Sequence, residues 1–300
     1  MEKASLPDGT SSAHTAHMAD ARPEPEAPRT PTGQYTHGHH PSVLRSHEWR
    51  TAENSAGYLL GRLAPGLELL DVGCGPGTIT ADLGRRVAPG RVVGVDSAAE
   101  VVARAAESSD VANVSFQHGD VYALPFDDDS FDVVHAHQVL QHLPDPVAAL
   151  VEMRRVLRVG GVLGAREGDF GGFMWAPADP VLDRWMELYH QVTARNGAEA
   201  DAGRHLLRWV RTAGFIQPVM TSSTWTFADP ETRSWWGGLW AERVQFSALA
   251  EQAVDYGLSD PDELAEIARA FCRWAEDPDA TFVIPHGEVL ATKGEADPGA

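Results

Sequence analysis

Apolar positions along the chain recur at two periods, and the way the periods alternate predicts the architecture. Short β-branched runs at 68–72, 91–96, 114–118, 131–137 and 161–167 read as strands. Between them apolar residues return every three or four positions, predicting helices at about 77–87, 98–108 and 145–158, with the glycines of "VGG" as the stop signal of the last. Strand and helix taking turns in this way indicate a parallel sheet covered on both faces. After residue 168 the rhythm breaks into helical segments near 178–195 and 201–213, a strand at 216–227, two helical stretches between 230 and 276, and a final strand at 281–292. Ahead of the first strand, "SHEWRTAENSAGYLLGRL" has helical spacing, with Ser46 placed to cap its start and Gly61 and Pro65 placed to end it.

Composition sets limits on this picture. Residues 1–33 are rich in Pro, Ala, Glu, Ser and Thr, a mixture that cannot offset chain entropy by burial, and are expected to be a disordered tail. The rest divides into a helical cover (34–66), a core (67–168), and the remainder of the sheet with helical lid insertions (169–300). A chain of 300 residues, 43% of them hydrophobic, buries one domain core plus a lid. A net charge of -19 and the lack of any Lys/Arg cluster exclude a nucleic-acid groove. Cys74 and Cys272 are too few for a disulfide framework or a cysteine metal site. With no signal-like or membrane-length apolar run, a soluble cytoplasmic protein without membrane insertion is expected, its oligomeric state open. Eight of the nine tryptophans follow residue 170, either filling helix seams or forming an apolar cover over a site. In "WWGGLW", Trp235 and Trp236 are adjacent on a helix and are not expected to face one core together.

The stretch "LLDVGCGPGTIT" (69–80) places Gly73, Gly75 and Gly77 directly after a strand and before a helix, so that backbone can pass close beneath a ligand. The spacing is G-x-G-x-G, not the G-x-G-x-x-G of dinucleotide sites, and Pro76 begins the helix. Asp71 at the mouth of the loop would repel a pyrophosphate and attract an ammonium or sulfonium, which argues against NAD. "RVVGVD" ends the second strand with Asp96, where a carboxylate can accept both hydroxyls of a ribose through bonds of about 1.5–3 kcal/mol each. The third strand leads into "HGDVYALPF", with Asp120 at the next tip. Any one of these aspartates is equally a helix cap. Together, at successive strand ends, they point to a nucleoside.

On these motifs the chain resembles the class I S-adenosylmethionine-dependent methyltransferases, and within them the ubiquinone/menaquinone-biosynthesis methyltransferase-like (methyltransferase type 11 domain) group. The resemblance spans about residues 45–167, through "LLDVGCGPGTIT", "VVGVD", "GDVYALPF" and "FDVVHAHQVLQHLPDPVAALVEMRRVLRVGG". It implies an α/β fold: a doubly wound, seven-stranded, mostly parallel Rossmann-like sheet with its last strand antiparallel and with helical lid insertions. It implies S-adenosyl-L-methionine as cofactor. Asp71, Gly73 and Gly75 would border the methionine moiety, Asp96 with Ser97 beside it would take the ribose, Asp120 and the Val121 backbone the adenine, and His137 would lie against the methionine end. The long insertions around 172–200 and 229–276 depart from the group and leave the substrate open.

Methyl transfer from a sulfonium is an in-line displacement, in which alignment alone supplies up to about 7–11 kcal/mol. Charge cancels or spreads as the methyl moves, so a dry aromatic pocket helps, and cation–π contact adds about 2 kcal/mol when desolvated. The Trp-rich cover fits that need. If the acceptor carries a proton, the candidate bases are His142 in "HAHQVLQHLPDP" and Glu167 or Asp169 at the end of the fifth strand. Each has a structural reading too: a helix-end histidine packed on its own loop, or a surface carboxylate. "QYTHGHHPSVLRSHEWR" crowds His37, His39, His40 and His47, but no carboxylate or Cys pattern completes a ligand set, so no metal is expected. This segment is expected to fold over the cofactor with Tyr35 and Arg50, Arg50 reaching the methionine carboxylate. The expectation is a methyltransferase acting on carbon or oxygen of a small, largely apolar or aromatic molecule of quinone, polyketide or isoprenoid type. A nicotinamide-dependent oxidoreductase and a non-catalytic nucleoside-binding module remain as rivals.

Overall fold

The strand runs assemble into one sheet in the computed structural model, which describes residues 35–38 and 40–295. The expected tail and His39 lie outside the described residues. The strands are β1 (Leu69–Val72), β2 (Val92–Asp96), β3 (Val114–His118), β4 (Phe131–His137), β5 (Leu157–Gly168), β6 (Met174–Ala176), β7 (Ile216–Phe227) and β8 (Thr281–Thr292). In the order β3-β2-β1-β4-β5 they run parallel. The last strand, β8, runs antiparallel to β5. One edge of β8 carries β7 along its length; the other carries β5 as far as His286 and then β6, which pairs Trp175 with Phe282. The sheet is thus Rossmann-like and mostly parallel, as expected, but has eight strands where seven were expected. Three residues are too short to show a period, and β6 exists because β8 runs on past the end of β5 and offers it an edge.

β1 is buried at every position because both faces are covered. Leu70 and Val72 pack with residues of α6 (Pro146–Val156) and α8 (Ala202–Thr212). Leu69 faces the opposite way, onto α2 (Ala52–Ser55), α3 (Gly57–Leu60) and α4 (Thr78–Val87). A fifth helix, α5 (Ala99–Ser108), covers β2 and β3. The third core lies beyond the sheet, where α7 (Pro180–Arg195), α9 (Pro230–Phe246), α10 (Ala248–Asp255) and α11 (Pro261–Glu276) close over the outer ends of β7 and β8. Four helices start at Asp-Pro pairs, and in each the aspartate side chain (Asp145, Asp179, Asp229, Asp260) accepts from a backbone N–H of the first turn while proline fills N1.

Two boundaries differ from the sequence reading. The segment before β1 is three short helices, α1 (Pro41–Glu48), α2 and α3, not one. A capping box between Thr51 and Asn54 restarts the helix at α2, and Ser46 caps nothing: its Oγ donates to the Val43 carbonyl inside α1 at 2.6 Å. The break leaves Trp49 and Arg50 on the turn that faces the sheet. Helix α6 ends at Val156, and "VGG" lies inside β5, where Gly160 takes φ +81° next to a register shift against β4. Those glycines make a strand irregularity.

Trp185 is fully buried in the lid core, 4.6 Å from Trp240 and 5.0 Å from Phe271 between ring centroids. Trp185→Ala is expected to cost about 3–5 kcal/mol in urea unfolding. A loss below about 1 kcal/mol would mean that the lid is not part of the cooperative core.

Candidate functional site

The order of strands reverses between β1 and β4, so the loops after them part and leave a crevice at their carboxyl ends. The glycine loop lies there, with φ of +67°, +53° and +82° at Gly73, Gly75 and Gly77. A Cβ on Gly73 would stand 2.3 Å from Val139 Cγ2, so this glycine lets the two loops touch. A Cβ on Gly75 would meet only the His47 imidazole, at 3.9 Å, so this side of the loop is open. Asp96 accepts from the Gly75 N–H and the Ala98 N–H, both at 3.0 Å, and stays partly exposed. Ser97 beside it is exposed, as is Asp120, which accepts from Tyr122 N–H at 2.9 Å, while Val121 is half-buried against the sheet core.

Asp71 is placed differently from its expected position at the mouth of the loop. It is 3% exposed, and its oxygens are taken by His135 Nδ1 at 2.7 Å and by Thr80 Oγ1 at 2.5 Å. The carboxylate joins β1, β4 and α4 from beneath the loop. The two carboxylates at the end of β5, Glu167 within it and Asp169 just past it, are likewise occupied. Glu167 is fully buried and accepts from the backbone N–H groups of Val139 (3.0 Å), Leu140 (2.9 Å) and Gln141 (3.3 Å). Burial pushes its carboxyl up to about 7, against the pull of those donors. Asp169 is chelated by Arg204 and also accepts the Arg204 N–H at 3.0 Å. Neither points a free oxygen into the crevice.

What Glu167 holds is the turn after β4. Gln138 opens that turn at φ +53°, a conformation that costs a non-glycine residue about 1 kcal/mol or more. Its amide accepts from Arg50 Nη2 at 2.6 Å and meets His286 Nε2 at 2.9 Å. His137 is buried behind it, 5.7 Å from Trp225 and 6.2 Å from His286 between ring centroids, with neither ring nitrogen hydrogen-bonded. His142 ends the turn with its ring edge-on to Tyr35 at 4.8 Å, next to His37, whose Nε2 lies 3.0 Å from Tyr189 Oη. Burial, and then Arg50, depress His142 to about 3; burial also holds His37, His137 and His286 well below the ordinary histidine range. Burial raises Tyr35 to about 12, although Arg50 opposes it.

Above this turn is a narrow cavity walled by Trp49, Trp225, Trp235, Trp236 and Trp240, with Arg50 and Arg243 reaching it from α1's end and from α9. Trp235 and Trp236 both border it, contrary to expectation. Both pack against the Phe227 ring, at 5.8 and 4.5 Å, and lie 6.0 Å from each other, with Trp49 5.4 Å from Trp235. His47 stands between the cavity and Gly75. Arg50 and Arg243 are depressed to about 9 and about 10, chiefly by burial, and both stay charged at neutral pH. Of the expected residues, the fold therefore gathers Arg50 and His142 at the cavity, with Tyr35 packed on His142 and Gly75 and Asp96 beside it. It sends Asp71, Glu167 and Asp169 into the scaffold. Gln138, Gln141 and Arg243 were missed. The glutamines sit in the quoted "HAHQVLQHL" immediately after a strand, and Arg243 is a cation within an aromatic helical stripe.

Residues 70–165 match the family described as "Methyltransferase domain". The uncharacterized methyltransferase C1B3.06c of Schizosaccharomyces pombe is 36% identical over 278 residues, covering 88% of this chain and 99% of that one. A demethylmenaquinone methyltransferase of Staphylococcus aureus is 37% identical over 126 residues, 41% of this chain and 50% of its own. Among solved structures, the [4+2]-cyclase SpnF is similar with a TM-score of 0.50 and 25% identity, covering 83% of this chain and 85% of that chain. The chain belongs to the methyltransferase family, in the group its motifs resemble.

The depressed histidines fix a sign for the pH dependence of stability. A histidine that binds its proton less readily when folded leaves the unfolded chain holding more protons, so stability is present above the unfolded value of 6.5 and is lost as pH falls, for His142 down to about 3. Glu167 acts oppositely, its contribution being present below 4.5 and lost as pH rises through about 7. Urea unfolding across the acid range is expected to show a shallower loss in His142→Asn than in wild type. Equal slopes would contradict the burial of this ring.

Proposed function

We propose that this methyltransferase uses S-adenosyl-L-methionine and methylates carbon or oxygen of a small, largely apolar, planar molecule held beneath the tryptophan lid. The observation that carries the reading is the shared wall: His47, which lines the aromatic cavity, has its Nδ1 3.9 Å from where a Cβ on Gly75 would stand. The residues present fit the cofactor. Gly73 and Gly75 would underlie its methionine part, Asp96 with Ser97 would meet the ribose hydroxyls, and Asp120 and the Val121 backbone the adenine. Arg50, whose buried Nε has no acceptor, would take the carboxylate beside Tyr35. When bound, the cofactor supplies an electrophilic methyl group on a sulfonium.

The chain's own contribution is positioning and dryness. The indole walls exclude water, which strengthens every charge interaction inside and aligns a flat acceptor. Gln138 fixes Arg50 in direction. Glu167, with both oxygens engaged, serves as a positioning residue rather than a base. His142 has one ring nitrogen without a partner, but its depressed basicity suits only an acceptor whose own proton is acidic, a phenol or an enol. A second reading, a nucleoside-holding protein that transfers no methyl group, is favoured by the likeness to a cyclase and by the weakness of that base.

Calorimetry should give tight binding of S-adenosylhomocysteine and none of NADH, with Asp96→Asn and Arg50→Ala each weakening the former about tenfold or more. Absence of binding, or unchanged affinity in both variants, would remove the reading. Label transfer from the cofactor into phenols, quinones and isoprenoids separates the enzyme from the binding module.

A further inference from the structure

We propose that Arg243 reads a negative charge on the methyl acceptor, and that the acceptor is a planar apolar molecule bearing a carboxylate. This rests on the methyltransferase reading and names the substrate class of its cavity. Arg243 follows Trp236 and Trp240 on α9 at helical spacing, so the three share one stripe. Its guanidinium lies over Trp240, with Cζ 4.7 Å from the ring centroid, and is 5% exposed. Nη2 donates to Ser46 Oγ at 2.8 Å and to the Ser42 carbonyl at 3.2 Å, while Nε finds no acceptor. Only neutral oxygens meet the charge. Arg166, as deeply buried, is paired with Glu288 at 3.2 Å.

Three further donors have the same need. Arg50 Nε and the indole N–H groups of Trp236 and Trp240 are buried without acceptors, and among the described residues none that lines the cavity is Asp or Glu. A cavity rich in donors and poor in acceptors, with two cations and no anion, is complementary to a ligand that supplies negative oxygen. With Arg50 committed to the cofactor carboxylate, one planar guanidinium remains. With Nη2 given to Ser46 and Ser42, Nε–H is left to meet one ligand oxygen, and the single charge of a carboxylate matches one guanidinium better than a phosphate, whose second charge would stay unpaired. The aromatic walls enclose about 40 Å³ and have to part to take the flat remainder. A net charge of -19 repels an anion at long range, so attraction has to be built at short range inside the cavity.

The test is titration of the full chain with hydroxynaphthoate and, separately, with the matched hydroxynaphthamide, each with and without saturating S-adenosylhomocysteine. Wild type is expected to bind the acid about tenfold or more tightly over the amide. Arg243→Gln should bring that ratio close to one and Arg243→Lys should keep part of it, each compared at saturating S-adenosylhomocysteine. Equal binding of acid and amide by wild type, binding of neither, or an undiminished ratio in a folded Arg243→Gln overturns the proposal. If Arg243→Gln weakens S-adenosylhomocysteine in place of the acid, Arg243 belongs to the cofactor end and the proposal falls while the methyltransferase reading stands. If wild type prefers the acid but ignores S-adenosylhomocysteine, the methyltransferase reading falls and the anion site remains.

Discussion

One carboxylate supports the upper half of the site. Glu167 ends β5 fully buried and receives three consecutive backbone N–H groups from the turn after β4. An amide in its place would offer one oxygen and turn an N–H₂ against donors. Because the turn is held at three points, Gln138 can be kept in the left-handed region, where strain persists only if its surroundings over-determine it. From Gln138 the constraint passes to Arg50, and at the other end of the same turn to His142. The carboxylate thus acts on the ligand side without facing it.

The two halves of the site carry opposite charge. Asp96 and Asp120 stand at successive strand tips with solvent access, while Arg50 and Arg243 are withdrawn beneath indoles. A nucleoside with a cationic centre and an acceptor with an anionic group would each find their complement, and each would be disfavoured in the other's place. Such partition is a source of orientation that shape alone does not provide. It also has a cost in the empty protein, since buried guanidinium groups without carboxylates reduce stability, a burden that a well-packed lid core of tryptophans and phenylalanines can carry.

The sheet and its motifs were legible because they are local. Val-rich runs and a G-x-G-x-G loop act within a few residues of themselves. The fate of individual carboxylates was not legible, because it depends on what a remote segment brings. Asp71 looks like a ligand residue until Thr80 and His135 occupy it, and Glu167 looks like a base until the turn at 139–141 folds onto it. The single helix expected over 46–61 failed for a local reason, a capping box at Thr51 hidden inside an apolar period. The paired tryptophans failed for a global one: Trp49 from beyond α1 packs on Trp235 and Phe227 of β7 on Trp236, so adjacent rings border the same space.

The lid and the N-terminal wall are anchored with different strength. β8 is the frame of the lid, running past β5 to carry Phe282 and Ile284 into the tryptophan cluster, so α9 and α11 cannot move without breaking core contacts. Helix α1 is tied to α9 by the exposed Arg45–Glu242 pair, of a kind worth at most about 1 kcal/mol, by the Nη2 bonds of Arg243 to Ser42 and Ser46, and by its cap residue His40, whose ring lies 6.5 Å from Phe246. His47, Trp49 and Arg50 all belong to that less firmly held side. The guanidinium that faces the cavity is therefore also the one that fastens its wall, and the position of α1 and the filling of the cavity depend on the same side chain.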